Sequence, residues 1–138
     1  MSPQPATPAD VPPTTVPIAN ETVLLRRVHP NWFAGEGANR TITSQAFQDS
    51  ADGTSMSMHV ERRLIDAGLT AFAALDGFDG YGLVSLTAGQ LRAEGFTIEW
   101  DPDDGDGPRG QAHVVVHCNK SSSRRKHLRD ACVVVAVP

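Results

Sequence analysis

Residues 81–100 read YGLVSLTAGQLRAEGFTIEW, and the change of period inside that stretch decides the fold class. The opening YGLVSL (81–86) is short and aliphatic, which predicts a strand. Thr87 follows, with Gln90 three residues on. This Thr-x-x-Gln pair predicts a capping box, each side chain taking a backbone N–H at the start of a helix. Gly95 stands where a helix end favours a residue free to adopt positive φ. A short helix over 87–95 is therefore expected, and FTIEW (96–100) returns to a strand. Strand, capped helix and strand within twenty residues call for a sheet with helices packed on it.

The rest of the chain fits the same plan. ETVLLRRVH (21–29) is aliphatic and β-branched and ends at a His-Pro, so it predicts a strand. NWFAGEGANR (31–40) predicts a loop anchored by Trp32 and Phe33, and TITSQAFQ (41–48) a second strand. SMSMHVERRL (55–64) alternates Met56, Met58 and Val60 against Ser57, His59 and Glu61, which favours a strand that shades into helix. DAGLTAFAALDGF (66–78) predicts a short helix closed by Gly77. QAHVVVHC (111–118) predicts a strand, SSSRRKHLRDA (121–131) a helix and CVVVAVP (132–138) a terminal strand. No internal repeat or regular βαβ rhythm connects them. The expectation is an α+β domain, with a mixed or mainly antiparallel sheet of five to seven strands and two or three short helices.

A chain of 138 residues suits one domain. Six of its ten prolines fall within residues 1–17, and proline fixes φ and donates no backbone hydrogen bond. Residues 1–20 are expected to be a Pro-rich flexible arm and residues 21–138 the single α+β domain. The net charge of −4 argues against wholesale wrapping of nucleic acid, but it hides a polarity. Residues 99–106, EWDPDDGD, carry five acids and no base, while 120–130, KSSSRRKHLRD, carry five bases and one acid. No run of about 18 apolar residues occurs, and no basic segment leads into an apolar one at the N-terminus. A cytoplasmic protein is expected, with no membrane contact and with the three Asn-x-Ser/Thr sequons unused. Cys118 and Cys132 make no disulfide framework and abut valine runs, which suggests inert, buried thiols.

Three clusters of polar residues bear on function. His113 and His117 share one strand face, yet at about 3.4 Å per residue their Cα atoms lie roughly 13–14 Å apart. One zinc ion with bonds of about 2.0–2.1 Å cannot comfortably take both, so no metal and no cofactor is expected. NKSSSRRK (119–126) is a strand-to-helix junction whose N–H groups, hydroxyls and cations could hold an anion: Lys120, Ser121, Ser122, Arg124 and Arg125. The plainer reading is a serine cap followed by a wet basic face, with the acidic turn at 99–106 as a neighbour. It has no P-loop glycines. Third, Arg26, Arg27, His29, Arg40, Ser44, Ser57 and His59 come from segments that could be adjacent strands. Histidine as acid or base beside arginine and serine would suit phosphoryl or ADP-ribosyl chemistry. The plainer reading packs His29 under a turn.

The segments LLRRVHPNW, SQAF, SMSM, LTAGQLRAEGF and AHVVV, spread over about residues 22–135, resemble a family of small, mostly uncharacterised bacterial proteins. The resemblance implies a one-domain cytoplasmic protein that works beside functional partners, and it carries no activity onto any residue. Two functions follow as expectations. One is an accessory or binding module of a multi-component bacterial system. It would meet an acidic protein surface or a nucleic-acid or phosphate backbone through its basic helix, with a protein partner or a second copy at the C-terminal strand. The other is a small enzyme on a phosphate-containing substrate, a nuclease or a nucleotidyl- or ADP-ribosyl-type transferase. Its candidate catalytic residues are His29, Arg40, Ser44, His113 and His117, with Arg26, Arg40 or Arg124 on the phosphate.

Overall fold

The computed structural model describes residues 17–36, 40–47, 55–117 and 122–138. In chain order the strands and helices are β1 (Val23–Val28), β2 (Phe33–Ala34), β3 (Thr41–Ile42), β4 (Ser55–Val60), α1 (Glu61–Asp66), β5 (Gly82–Thr87), α2 (Ala88–Ala93), β6 (Thr97–Trp100), α3 (Gly107–Gly110), β7 (His113–His117), α4 (Ser122–Ala131) and β8 (Val133–Ala136). Six strands form one sheet in the order β6-β7-β4-β1-β5-β8, and β2 pairs with β3 separately. Every pairing among the described residues is antiparallel, so the fold is α+β as the periodicity requires.

Alternation along the strands gives the sheet two faces. Leu24 and Val28 of β1, Met56, Met58 and Val60 of β4, Val84 and Leu86 of β5, and Val114 and Val116 of β7 all point one way. They meet Phe47, Leu91, Phe96 and Leu128 in the larger core. Leu91 comes from α2 and Leu128 from α4, so these two helices cover that face. Leu25 and Leu83 point the other way, beneath Leu64 of α1, Ala74 and Ala112. The second layer is smaller, and it leaves the β4, β7 and β6 side of this face to polar residues and Val115.

The capped helix is as expected. Gln90 N donates to Thr87 Oγ1 at 3.1 Å and Thr87 N to Gln90 Oε1 at 2.8 Å, and Gly95 has a φ of +87°. Residues 41–47 depart from the strand expected over 41–48. Only Thr41 and Ile42 pair, after which Ser44–Phe47 turns as a 3-10 helix. Ala46 and Phe47 are consecutive and both enter the same core cluster, whereas a strand would send them to opposite faces. The expected helix over 66–78 is displaced as well. α1 starts directly at Glu61, and Ala71–Leu75 forms a separate 3-10 turn. Gly68 and Gly77, both with φ of +82°, end these two turns. Within the expected loop at 31–40, Phe33 and Ala34 form β2.

Candidate functional site

The polar half of the second sheet face is built by register. Ser85, Leu25, His59 and His113 lie in one row across β5, β1, β4 and β7. Val115 and Glu99 share the next row with Ser57, and His117 pairs with Ser55 and Thr97. His59 sits at the floor of this region, 3% exposed. Its ring meets that of His113 edge-on, with centroids 5.4 Å apart.

Each β7 histidine has its own carboxylate. His113 Nδ1 lies 2.7 Å from the Asp101 carbonyl oxygen and 3.3 Å from its carboxylate. The carbonyl accepts only, so Nδ1 carries a proton and donates to it. His117 Nε2 stands 3.7 Å from Glu99. Among the described residues no three His, Cys, Asp or Glu side chains converge as a metal site.

Beside the histidines stand two arginines. Arg27 of β1, on the same face as Leu25, lays its guanidinium over the Phe78 ring at 3.7 Å. Its Nη1 donates to the Ala74 carbonyl at 3.4 Å. Arg109 lies 5.9 Å from the same ring centroid and grips both oxygens of Asp106 at 2.7 and 2.8 Å. Its Nη1 also donates to the carbonyls of Ala73 and Asp76. The two guanidiniums thus close the carbonyl end of the Ala71–Leu75 turn, which is a structural task. Burial, then Arg109, lowers the Arg27 pKa. Burial, then Arg27, His113 and Arg109, pushes the His59 imidazole down to about 3, against the opposing pull of Asp106. His59 is neutral across the physiological range.

Arg26 takes the opposite face. Its Nε donates to the Ala46 carbonyl at 3.2 Å and its Nη1 to the Ser57 carbonyl at 3.0 Å, pinning the Ser44–Phe47 turn to β4. Burial first, then Arg27, brings its pKa down to about 10.

The sequence-based candidates fall in several places. His29 Nδ1 accepts from Asn31 N at 3.0 Å, and its ring packs on Trp32 and Tyr81, which is the turn-packing role. Arg40 donates to the Pro138 carbonyl at 3.0 Å. Ser44 opens the 3-10 turn. No hydrogen bond or ion pair among the described residues links these three to one another or to His113 and His117. Lys120 and Ser121 lie outside the described residues, and Ser122 is the first residue of α4. Arg124 lies against Gly95, and Arg125 turns a buried Nε inward. Further along α4, His127 meets Glu94 at 2.8 Å and Arg129 meets Asp130 at 3.0 Å. Among the described residues Glu94 is thus an acidic neighbour of the helix. The acids of the 99–106 turn face β7 and Arg109 instead.

Arg109, Asp106 and Phe78 escaped the sequence reading, because loop residues show their partners only once the chain is folded. Adjacent Arg26 and Arg27 in a strand did carry a signal, since strand alternation must send one to each face.

The far edge of the sheet offers a second surface. Val133 and Val134 of β8 are 63% and 40% exposed, and Val137 beyond it 47%. Successive residues point to opposite faces, so β8 overhangs both covering layers. Leu83 pairs with Ala136 and Val84 with Val134; Val135 is thus the extra residue of a bulge. Cys132 beside it is half-buried, and burial raises its thiol pKa to about 11, which leaves it unreactive. No family model, curated protein or solved structure matches the chain.

Proposed function

We propose that this protein is a small binding module that assembles through β8, a second copy adding its own β8 antiparallel across a two-fold axis. The setting is an accessory role in a bacterial multi-component system in the cytoplasm. The observation that carries the reading is the contrast between the two edges of one sheet. Edge strands are ordinarily protected by charge. β6 follows that rule with exposed Glu99 and with Asp101 directly after it. β8 is Val-Val-Val-Ala, with no charge on either side. Self-pairing of β8 opposes apolar residues and covers a row of backbone donors and acceptors. Self-pairing of β6 would bring like charges together. In the assembly, exposed Lys126 of α4 remains available to an acidic partner surface.

Light scattering coupled to size exclusion tests this. At about 100 µM, a concentration that captures micromolar association, the expected mass is twice the 14.7 kDa of the chain. Val133→Lys, at the most exposed of these valines, is expected to return a monomer. A wild-type monomer at that concentration refutes the assembly.

A second reading, a small enzyme on a phosphate-containing substrate, draws support from one observation. His113, oriented by Asp101, stands against His59 on the face that carries Arg27.

A further inference from the structure

Two short turns set four rings side by side. Trp32 N donates to the His29 carbonyl at 2.9 Å and Tyr81 N to the Phe78 carbonyl at 3.1 Å, so each turn carries a ring at both ends. Val28 pairs with Gly82, which puts the end of β1 beside the start of β5 and the two turns next to each other. The rings follow as a strip, Trp32 to His29 at 5.9 Å, His29 to Tyr81 at 5.2 Å and Tyr81 to Phe78 at 5.4 Å between centroids. All four are half-buried. Neighbouring planes meet at 53°, 74° and 74°, so the strip is ridged rather than flat. Its polar atoms are donors. Asn31 N donates to His29 Nδ1 at 3.0 Å, so His29 Nε2 carries the ring proton. Trp32 Nε1 and the Tyr81 hydroxyl add two more. Among the described residues none of these three groups has a hydrogen-bond partner.

Ridged rings with three free donors suit a ligand that is apolar, extended and rich in acceptors. A proline-rich segment has that chemistry. Each proline lacks a backbone N–H, and a polyproline II chain leaves its carbonyls unpaired. Such chains dock on aromatic surfaces because little conformational entropy remains to be lost. We propose that the strip binds the chain's own segment Pro3–Pro8, PQPATP. Residues 1–16 lie outside the described residues, and the described chain starts at Pro17. Length allows the contact. Ala19–Thr22 turns at the opposite end of β1 from His29, and six residues of strand separate the two by about 20 Å. Pro8 stands nine residues before Pro17 and reaches about 28 Å from it at about 3.1 Å per residue. The strip is at most about 17 Å long, which six residues in polyproline II form match. Pro5 and Pro8 have the Pro-x-x-Pro spacing that returns both to one side of that helix. The tether holds the segment at a millimolar effective concentration, so a contact of modest affinity is populated. The β8 assembly uses none of these residues.

The test is NMR on the full-length protein and on a variant combining Pro3→Ala, Pro5→Ala and Pro8→Ala. The wild type is expected to show NOEs from protons of these prolines to the Trp32 or Tyr81 ring, with upfield ring-current shifts of the same proline protons. In the arm variant the Trp32 indole N–H resonance is expected to move, while that of Trp100, on β6, stays in place. Tyr81→Ser, made in the strip itself, is expected to remove the proline shifts. The arm substitutions lie outside every described strand and helix, so they remain a test if the Tyr81 variant does not fold. A dilution series in the Val133→Lys background, where β8 pairing plays no part, is expected to leave the proline shifts unchanged. Overturning results are proline protons without ring NOEs or ring-current shifts in the wild type, or a Trp32 indole that ignores the arm variant. Shifts that fade on dilution also overturn it, because they assign the strip to the arm of another copy. None of these readouts is a mass, so failure here leaves the light-scattering result on β8 untouched.

Discussion

His59 ties the stability of the fold to pH, and the size of the effect follows from its position. The imidazole is 3% exposed. Burial, with Arg27, His113 and Arg109 adding to it against Asp106, lowers its pKa from 6.5 to about 3. In the unfolded chain the ring titrates near 6.5. Between the two values the unfolded state binds a proton that the folded state refuses. The contribution is therefore complete above pH 6.5 and is lost progressively as pH falls toward 3. At about 1.4 kcal/mol per pH unit, a drop to about pH 5 removes about 2 kcal/mol. That is a sizeable share of the roughly 5–15 kcal/mol that holds a domain together. Urea unfolding near pH 7.5 and about pH 5, on wild type and on His59→Gln, isolates the term. Each protein is compared with itself, so the fixed cost of the substitution cancels. The wild type is expected to lose about 2 kcal/mol more than the variant between the two conditions. Equal losses would refute a neutral, buried His59.

Two further outcomes are expected from local geometry. Thr87→Ala removes the acceptor for Gln90 N and is expected to cost about 1 kcal/mol in chemical denaturation. Gly110→Ala sets a Cβ against the backbone carbonyl of Asp103, where no flexible side chain can give way. It is expected to cost about 2 kcal/mol or more and to lower the melting temperature. Because the displaced loop also carries Asp106, the Arg109 clamp loosens with it.

Where a residue's neighbours lie within a turn or along one strand, the sequence carried the information. Thr87, Gln90 and Gly95 define α2 among themselves. Met56, Met58 and Val60 define the buried side of β4 by alternation. The valines of β7 and β8 leave no polar face that a helix could present to water. Residues 41–48 misled because Ala46 and Phe47 answer to a distant core, beneath α4, rather than to a neighbouring strand. The polar cluster was partly hidden for a related reason. His59 and His113 are 54 positions apart, and their meeting depends on the pairing of β4 with β7. The acids at 99–106 were legible as an acidic turn. That Glu99 and Asp101 answer β7 is fixed by β6 lying beside β7 at one end of the sheet, and Asp106 answers Arg109.

The strand order also sets a sequence of assembly. β1 is synthesised before the other strands and ends at the centre of the sheet, with β4 and β5 added to its two sides. β7 and β6 then extend the sheet beyond β4, and β8 joins β5 after all the others have been made. During synthesis, β5 is the rim until β8 arrives, and it is aliphatic as well: Leu83, Val84 and Leu86. The edge of β5 thus has two competitors, a strand of a neighbouring nascent chain and β8 of its own chain. The direct passage from α4 into β8 favours the chain's own strand, since a tethered strand reaches its place by a short search.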